Sequence, residues 1–474
     1  NCPNWKKKIN NLNIDNFECM KKIIICICLS VGLSSCSIYR TYKRPDVSVV
    51  DSLYHQPALS ADTTASIADL SWKELFTDSQ LQSLIEKGLC NNSDLGIARL
   101  RVKEAEALLK SARLSYLPSL DLSPQGTISK AEHGNTTKSY DLAVSASWEI
   151  DIFGKLTNAK REARAVLEQN EAYRQAVQTQ LIATIANNYY MLLMLDEQLG
   201  ITRRTAENWA ENLRVMKALK RAGQATDMAV AQTEASKLSV DASLLSLERQ
   251  ITELENSLSA LLGTPSASIE RSTLDTQSFP DTLLVGVPLQ LLQRRPDIRQ
   301  SEAELAAAFY VTNQAVAAFY PSITLGGSAG WTNAAGAAIT NPGQWLLSAV
   351  GSLVQPLFNR GQNIANLKVA RAQQEEAVLS FRQSLLDAGM EVNNALVQWQ
   401  TARGRLQLEE QQIISLASAV RSAELLMKHS SQNYLEVLTA RQTLLQAELD
   451  AASDRFDEIQ GVISLYHALG GGID

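Results

Sequence analysis

The chain has 474 residues, of which 45% are hydrophobic and 20% charged, and its net charge is -6. This length suits two or three average domains or one elongated architecture. Because acidic residues outnumber basic ones, 50 to 44, the chain lacks the basic footprint of nucleic-acid binding proteins. We therefore expect no nucleic-acid partner.

The N-terminal region has the pattern of an export signal. Met20-Lys21-Lys22 precedes an apolar run over residues 23–33, which is too short to span about 30 Å of hydrocarbon as a helix. The following Leu-Ser-Ser-Cys36 resembles the lipobox of bacterial lipoproteins, in which the cysteine is lipidated. We predict that residues 1–35 comprise an upstream extension (1–19) and a signal peptide, and that Cys36 carries lipid. The alternative is an ordinary cleavage site beside an incidental cysteine.

Cysteine usage excludes a disulfide framework in the mature chain. Of six cysteines, only Cys36 and Cys90 lie beyond residue 35. If Cys36 is lipidated, Cys90 has no partner within the chain. We expect Cys90 to be a small packing residue.

Three short segments recur in the same order at nearly one spacing. Residues 117–122 (LPSLDL) are echoed by 320–325 (YPSITL), 151–155 (DIFGK) by 356–361 (PLFNRG), and 227–232 (DMAVAQ) by 436–441 (EVLTAR). Each match is weak alone, but their common order predicts a tandem duplication.

Taken in chain order, the predicted elements form two copies of helix, strand, strand, long helix and return helix. A lipidated N-terminal segment (36–78) comes first. The first repeat (79–265) holds a helix over 79–114, strands at about 117–128 and 140–152, and a long helix at about 155–221. A linker (266–287) leads to the second repeat (288–474), with a helix over 297–318, strands at about 320–332 and 345–357, and a long helix at about 361–428.

Periodicity and length support these assignments. Apolar residues fall on every second position from Tyr140 to Ile152, whereas residues 155–221 contain no proline and one glycine. A helix of that length reaches roughly 100 Å. Four strands cannot cross a membrane alone, because their unpaired edges would lie in hydrocarbon. The chain must oligomerise, and either a dimer with eight strands or a trimer with twelve satisfies this requirement.

Catalytic and metal-binding patterns are weak. Gly326-Gly327-Ser328-Ala329-Gly330 fits the G-x-S-x-G pattern of hydrolases, but no helix follows the serine directly. The four histidines lack metal-ligand spacing. We expect no catalytic residue, no metal site and no cofactor.

Four motifs in the mature chain resemble the outer-membrane efflux proteins of the TolC family, in its lipoprotein branch that serves resistance-nodulation-division pumps. They are residues 72–76 (WKELF), 148–155 (WEIDIFGK), 294–299 (RRPDIR) and 434–438 (YLEVL). The resemblance implies a mainly α fold with transmembrane β-strands. Four strands per chain contribute to a trimeric twelve-stranded barrel, a long α-helical barrel crosses the periplasm, and residues 266–287 belong to an equatorial belt.

The resemblance also implies where the periplasmic end closes and docks. Glu436 occupies a position that the family uses for an acidic, cation-selective ring, and Asp227 is its counterpart in the first repeat. The turns at Gly223 and Gln224, and at Ser430 and Ser431, would contact a periplasmic adaptor protein. The alternative for both carboxylates is simple solvation near a helix start, where the helix dipole favours negative charge.

The function implied is that of a passive duct through the bacterial outer membrane. Its expected partners are two further copies of itself, a periplasmic adaptor, an inner-membrane resistance-nodulation-division pump and outer-membrane lipid. Its cargo would be small molecules such as drugs, toxic compounds or metal ions. Two alternatives remain: the exit duct of a type I protein secretion system, and a structural or adhesive coiled-coil lipoprotein without a pore.

Overall fold

The computed structural model describes residues 41–45, 67–130, 132, 136–279, 294–332, 344–429 and 434–473. Cys36, Ser430 and Ser431 lie outside this set. Contacts divide the chain into two compact units. The strand unit takes its described residues from Asn1–Arg44, Leu109–Arg164 and Ala306–Glu375, and the helical unit from Pro45–Leu108, Ala165–Leu305 and Glu376–Asp474. Each unit draws on both repeats.

The described elements repeat in length as well as in order. The helices are α1 (Trp72–Leu75), α2 (Ser79–Asn91), α3 (Ser93–Leu114), α4 (Lys155–Arg221), α5 (Asp227–Leu261), α6 (Pro296–Ala317), α7 (Gln362–His429) and α8 (Tyr434–Ala468). The strands are β1 (Ser119–Ser129), β2 (Thr137–Ile150), β3 (Ser322–Thr332) and β4 (Gln344–Val354), and short 3-10 helices occupy Ile67–Asp69 and Leu274–Thr276. Helices α4 and α7 have 67 and 68 residues, and α5 and α8 have 35 each. The predicted tandem fold is confirmed.

The prediction of the first helix was wrong in one respect. A single helix was expected over 79–114, but the structure breaks it into α2 and α3 at Asn92. Asn92 has an extended backbone (ψ 128°), and its side-chain oxygen accepts a hydrogen bond from the Leu95 amide at 3.0 Å. Asparagine favours such a cap over a helix interior, because its short side chain can bond the free amides of a helix start.

In the strand unit the four strands form one antiparallel sheet in the order β1-β2-β3-β4. Their register separates the two faces. Leu122, Val144, Ala329 and Leu347 lie side by side on one face, while Asp121, Ser145, Ser328 and Ser348 lie on the other. The apolar face is open, with Leu122 66% and Leu347 84% exposed. Such a face is typical of a strand that is covered by lipid or another chain.

The junction between β2 and α4 is built on Asp151 and Gly154. Gly154 adopts a left-handed conformation (φ +74°), which reverses the extended chain without a Cβ penalty. The Asp151 carboxylate then accepts hydrogen bonds from the amides of Leu156 and Thr157, at 3.0 and 2.8 Å. The second repeat also places a left-handed glycine, Gly361 (φ +78°), directly before α7, and there Asn359 Oδ1 accepts from the Asn363 amide at 3.4 Å. A strand can therefore lead directly into a long helix, because a side-chain oxygen accepts from the first free amides.

The core of the helical unit lies where α1 and α2 pack on α4. Its largest buried side chains include Phe76, Leu81, Ile185, Tyr189 and Tyr190. Hydrogen bonds to Asp78 connect the segment after α5 to this core. The Asp78 carboxylate accepts from the Tyr189 hydroxyl at 2.6 Å and from the side chains of Ser272 and Gln277.

Cys90 is free and exposed, so the expectation that it packs in the interior was wrong: its side chain lies on the solvent face of α2. Among the helices of the described ranges, none combines the length and apolar character needed to cross a membrane.

Candidate gate at the helical hairpin turns

The first hairpin of the helical unit reverses at Gly223. Gly223 has φ +72°, and its amide donates to the Lys220 carbonyl at 2.9 Å, while the Gln224 amide donates to the Leu219 carbonyl at 2.9 Å. This is the pattern of a Schellman helix end, which favours glycine because the left-handed conformation carries no Cβ penalty there. Thr226 then caps α5 by accepting from the Ala229 amide at 3.2 Å. Gly223 and Gln224 are both exposed, as a docking turn requires.

Asp227 has a partner within its own hairpin. Its carboxylate forms an ion pair with the ammonium group of Lys220, across the turn. One turn further along, Lys217 and Glu234 are paired at 3.2 Å. All four side chains are largely exposed, so each pair contributes at most about 1 kcal/mol. These pairs fix the shape of the turn rather than add much stability.

Glu436 lies in the first turn of α8, and its side chain is exposed. It makes no ion pair with another residue of the described ranges. The neighbouring Arg441 is paired differently: its guanidinium donates to the Glu424 carboxylate of α7, with the Nε contact at 3.0 Å. The Thr439 hydroxyl donates a hydrogen bond to the Leu435 carbonyl at 2.9 Å. Within the described part of the chain, Glu436 is thus an exposed carboxylate without an ion-pair partner, beside the Arg441–Glu424 contact between α7 and α8.

The residues that follow Glu436 anchor α8 against the first hairpin. Val437 is buried, and with Leu438 and Arg441 it lines a cleft against Trp209 and Met216 of α4. A larger apolar cluster is built around the buried side chains Ala206, Trp209 and Val240, with Leu244, Leu438 and Leu445 packed on it. The two hairpins are therefore joined by apolar contacts directly behind the exposed carboxylate.

A buried charge network in the helical unit was not anticipated as such. The Arg294–Arg299 motif was predicted to matter only because it resembles the family. In the structure the Arg295 side chain is 4% exposed and contacts Asp297 at 2.6 Å and Glu391 of α7 at 2.7 Å. It also donates to the Ala468 carbonyl at 2.8 Å, at the end of α8. Arginine followed by a helix-starting proline and aspartate was the available signal.

The pKa values in this network follow from burial and from the arginine charge. Burial alone would raise the pKa of Asp297, but hydrogen bonds from Arg295 and its charge outweigh that effect and hold the pKa below its usual value. His467 is close by, and burial together with the Arg295 charge lowers its pKa. The imidazole is therefore neutral where an exposed histidine would begin to protonate.

Within the described ranges, no three side chains of the types His, Cys, Asp or Glu lie close enough together to hold a metal ion.

A sheet with one apolar face, whose strands lead twice into long paired helices, defines the class: an outer-membrane channel protein of an efflux system. The chain belongs to the outer membrane efflux protein family, whose model matches residues 84–264 and 287–471. The resemblance inferred from the motifs is confirmed.

Sequence similarity to known proteins covers nearly the whole chain. The cation efflux system protein CusC of Escherichia coli K12 is 28% identical over 456 residues, covering 95% of this chain and 99% of CusC. The pyoverdine export outer membrane protein OpmQ of Pseudomonas putida KT2440 is 31% identical over 460 residues, covering 94% and 96%. The probable outer membrane lipoprotein SilC of Salmonella typhimurium is 29% identical over 446 residues, covering 93% and 96%. A solved structure of CusC superposes with a TM-score of 0.83 over 92% of this chain and 100% of that one.

Proposed function

We propose that three copies of this chain form a closed duct, the outer-membrane component of a tripartite efflux pump. The observation that carries this proposal is the sheet with an open apolar face and two outer strands, β1 and β4, which pair with a described strand on one side only. Edge strands in hydrocarbon need partners, and neighbouring copies can supply them until the ring closes. Three copies give twelve strands, an even number within the range of known barrels.

The periplasmic adaptor is proposed to dock on the hairpin turns. Gly223 and Gln224 present an exposed, well-formed turn, and Ser430 and Ser431 hold the corresponding position in the second repeat. The inner-membrane resistance-nodulation-division pump would supply the energy, because the duct is passive. Two relatives of similar identity carry names that refer to different cargoes, cations and pyoverdine. We therefore assign the cargo as small molecules or metal ions, selected largely by the pump.

The gate assignment rests on Glu436. Around a threefold axis, three exposed carboxylates in the first turn of α8 would repel one another and attract cations to the pore mouth. Asp227 is assigned the supporting role of shaping the neighbouring turn through Lys220.

Neutralising Glu436 should weaken cation selectivity. Glu436→Gln removes one charge per chain from the pore mouth, and we expect the cation-to-anion permeability ratio to fall about twofold or more. Planar-bilayer conductance in low salt measures this ratio. Glu104→Gln, which removes an exposed carboxylate from α3, is the matched control and should leave the ratio unchanged. If the permeability ratio of Glu436→Gln is unchanged, the assignment of this residue to the gate is wrong. If the wild-type protein shows no conductance, the channel proposal is wrong.

The lipid anchor is proposed at Cys36. Metabolic labelling with a palmitate analogue should mark the wild-type protein, and the Cys36→Ser variant should lose the label entirely. Cys90→Ser controls for the other cysteine of the mature chain and should keep the label. Because a single lipid chain binds membranes weakly, loss of the label should leave the strand-anchored protein in the outer membrane. A label that persists in Cys36→Ser contradicts the assignment.

A further inference from the structure

Two carboxyl groups meet inside the helical unit, at the contact between α7 and α8. Glu409 extends from α7, and its side chain is 14% exposed, while Asp454 extends from α8 and is 1% exposed. Glu409 Oε2 and Asp454 Oδ2 are both buried and have no hydrogen-bond donor. Two ionised carboxylates would repel one another in that position, whereas a carboxyl and a carboxylate can share a hydrogen bond.

The charges around this pair do not neutralise it. Arg405 is the cation in contact, at 3.0 Å from Asp454 Oδ1 and 3.6 Å from Glu409 Oε1, and its side chain is 55% exposed. On α8, Asp450 and Asp457 add negative charge. Helix α4 contributes the neutral Gln198, which donates to the hydroxyl of Ser453 at 3.0 Å. One partly solvated arginine therefore faces four carboxyl groups.

We propose that Glu409 and Asp454 share one proton and form, with Arg405, a proton-binding clasp between α7 and α8. The proton supplies the missing donor between the two buried oxygens. When it leaves, two adjacent carboxylates must separate or admit water, and the helix pairing loosens.

The direction of the pH dependence follows from the environment of Glu409. Burial, and then the hydrogen bond and charge of Asp454, raise the pKa of Glu409 to about 7, against the opposing charge of Arg405. The folded chain therefore holds a proton between pH 4.5 and about 7 that an unfolded chain has released. The stabilisation is fully present below pH 4.5 and is lost as the pH rises through about 7.

Packing decides where the helices can separate. On the side of the clasp away from the turn, a Cβ on Gly461 would lie 2.9 Å from Trp399 Cα, so α7 and α8 are in close backbone contact. Gln398 also donates to Gln460 at 2.8 Å there. On the other side the next described ion pair is Arg441 with Glu424. Loosening should therefore extend from the clasp toward the turn, over residues 409–424 and 441–454.

Hydrogen exchange of the full chain in detergent micelles tests the proposal. After correction for intrinsic exchange rates, protection of residues 409–424 and 441–454 should fall about tenfold between pH 6 and pH 8 in the wild type. Glu409→Gln replaces the shared proton with a permanent amide donor, so its protection should not change over this range. Glu410→Gln, an exposed neighbour on α7, should behave like the wild type. The proposal is wrong if protection in the wild type does not fall between pH 6 and pH 8, or if protection in Glu409→Gln falls by the same factor.

Infrared spectroscopy provides a second measurement that does not depend on the folding of Glu409→Gln. The wild type should lose a protonated-carboxyl band between pH 6 and pH 8, and Asp454→Asn should move that titration to lower pH because the neighbouring charge is gone. The titration should be the same with and without EDTA. If no carboxyl titrates in this range, or if EDTA shifts the titration and so indicates a metal ion, the shared proton is excluded.

Discussion

Replacing Trp209 with alanine should destabilise the hairpin region by about 3–5 kcal/mol, the cost of opening a cavity where a buried aromatic side chain stood. The indole is 4% exposed and lies at the centre of the apolar cluster that joins α4, α5 and α8. Leu438, two residues beyond Glu436, packs on this cluster. If Glu436 forms the gate as proposed, the variant should loosen the packing behind this carboxylate and increase the open probability of single channels in planar bilayers.

The matched variant for this experiment is Trp209→Phe. A phenyl ring fills most of the same space, so we expect a smaller loss of melting temperature and conductance close to wild type. If Trp209→Ala lowers the melting temperature but leaves channel opening unchanged, the cluster stabilises the hairpins without controlling the gate. If neither quantity changes, the cluster does not join the hairpins as described.

Arg295→Ala is expected to lower the free energy of unfolding by about 2–4 kcal/mol. Removing a buried charge leaves its partners unpaired, and here those partners are Asp297, Glu391 and the Ala468 carbonyl. The expected loss of stability is smaller than for a fully buried ion pair, because the side chains of Asp297 and Glu391 are each 45% exposed and water can solvate them. The melting temperature of the full chain in detergent micelles measures the loss.

Two further variants separate charge from geometry at this site. Arg295→Lys keeps the positive charge but lacks the planar guanidinium whose two nitrogens contact the two Asp297 oxygens. Its melting temperature should therefore lie between those of the wild type and Arg295→Ala. Arg382→Ala removes an exposed arginine from α7, the helix that carries Glu391, and should leave the melting temperature unchanged. Equal losses in Arg382→Ala and Arg295→Ala would mean that the buried network has no special role.

Much of the fold could be predicted because its signals are local. Alternation with a period of two located the strands, and the long α4 segment without proline was located to its observed ends. The alternation ends at Ile152, just before the segment without proline, and the structure gives the reason: Gly154 is left-handed, and the Asp151 carboxylate caps the helix that follows. The break at Asn92 was missed because a single asparagine is compatible with a solvent-facing helix position as well as with a cap.

By itself, the sequence determined the duplicated order of elements, the alternation of the strand faces and the positions of the hairpin turns, because these depend on spacing along one segment. The tertiary structure decided which charged groups are buried and what they contact. Arg295 and Glu391 lie on different helices, and so do Glu409 and Asp454. Their pairing depends on which helix faces meet, and no periodicity within either helix encodes that. Helix packing therefore buries the arginine of the family motif beside Glu391, and it brings Glu409 and Asp454 close enough to share a proton.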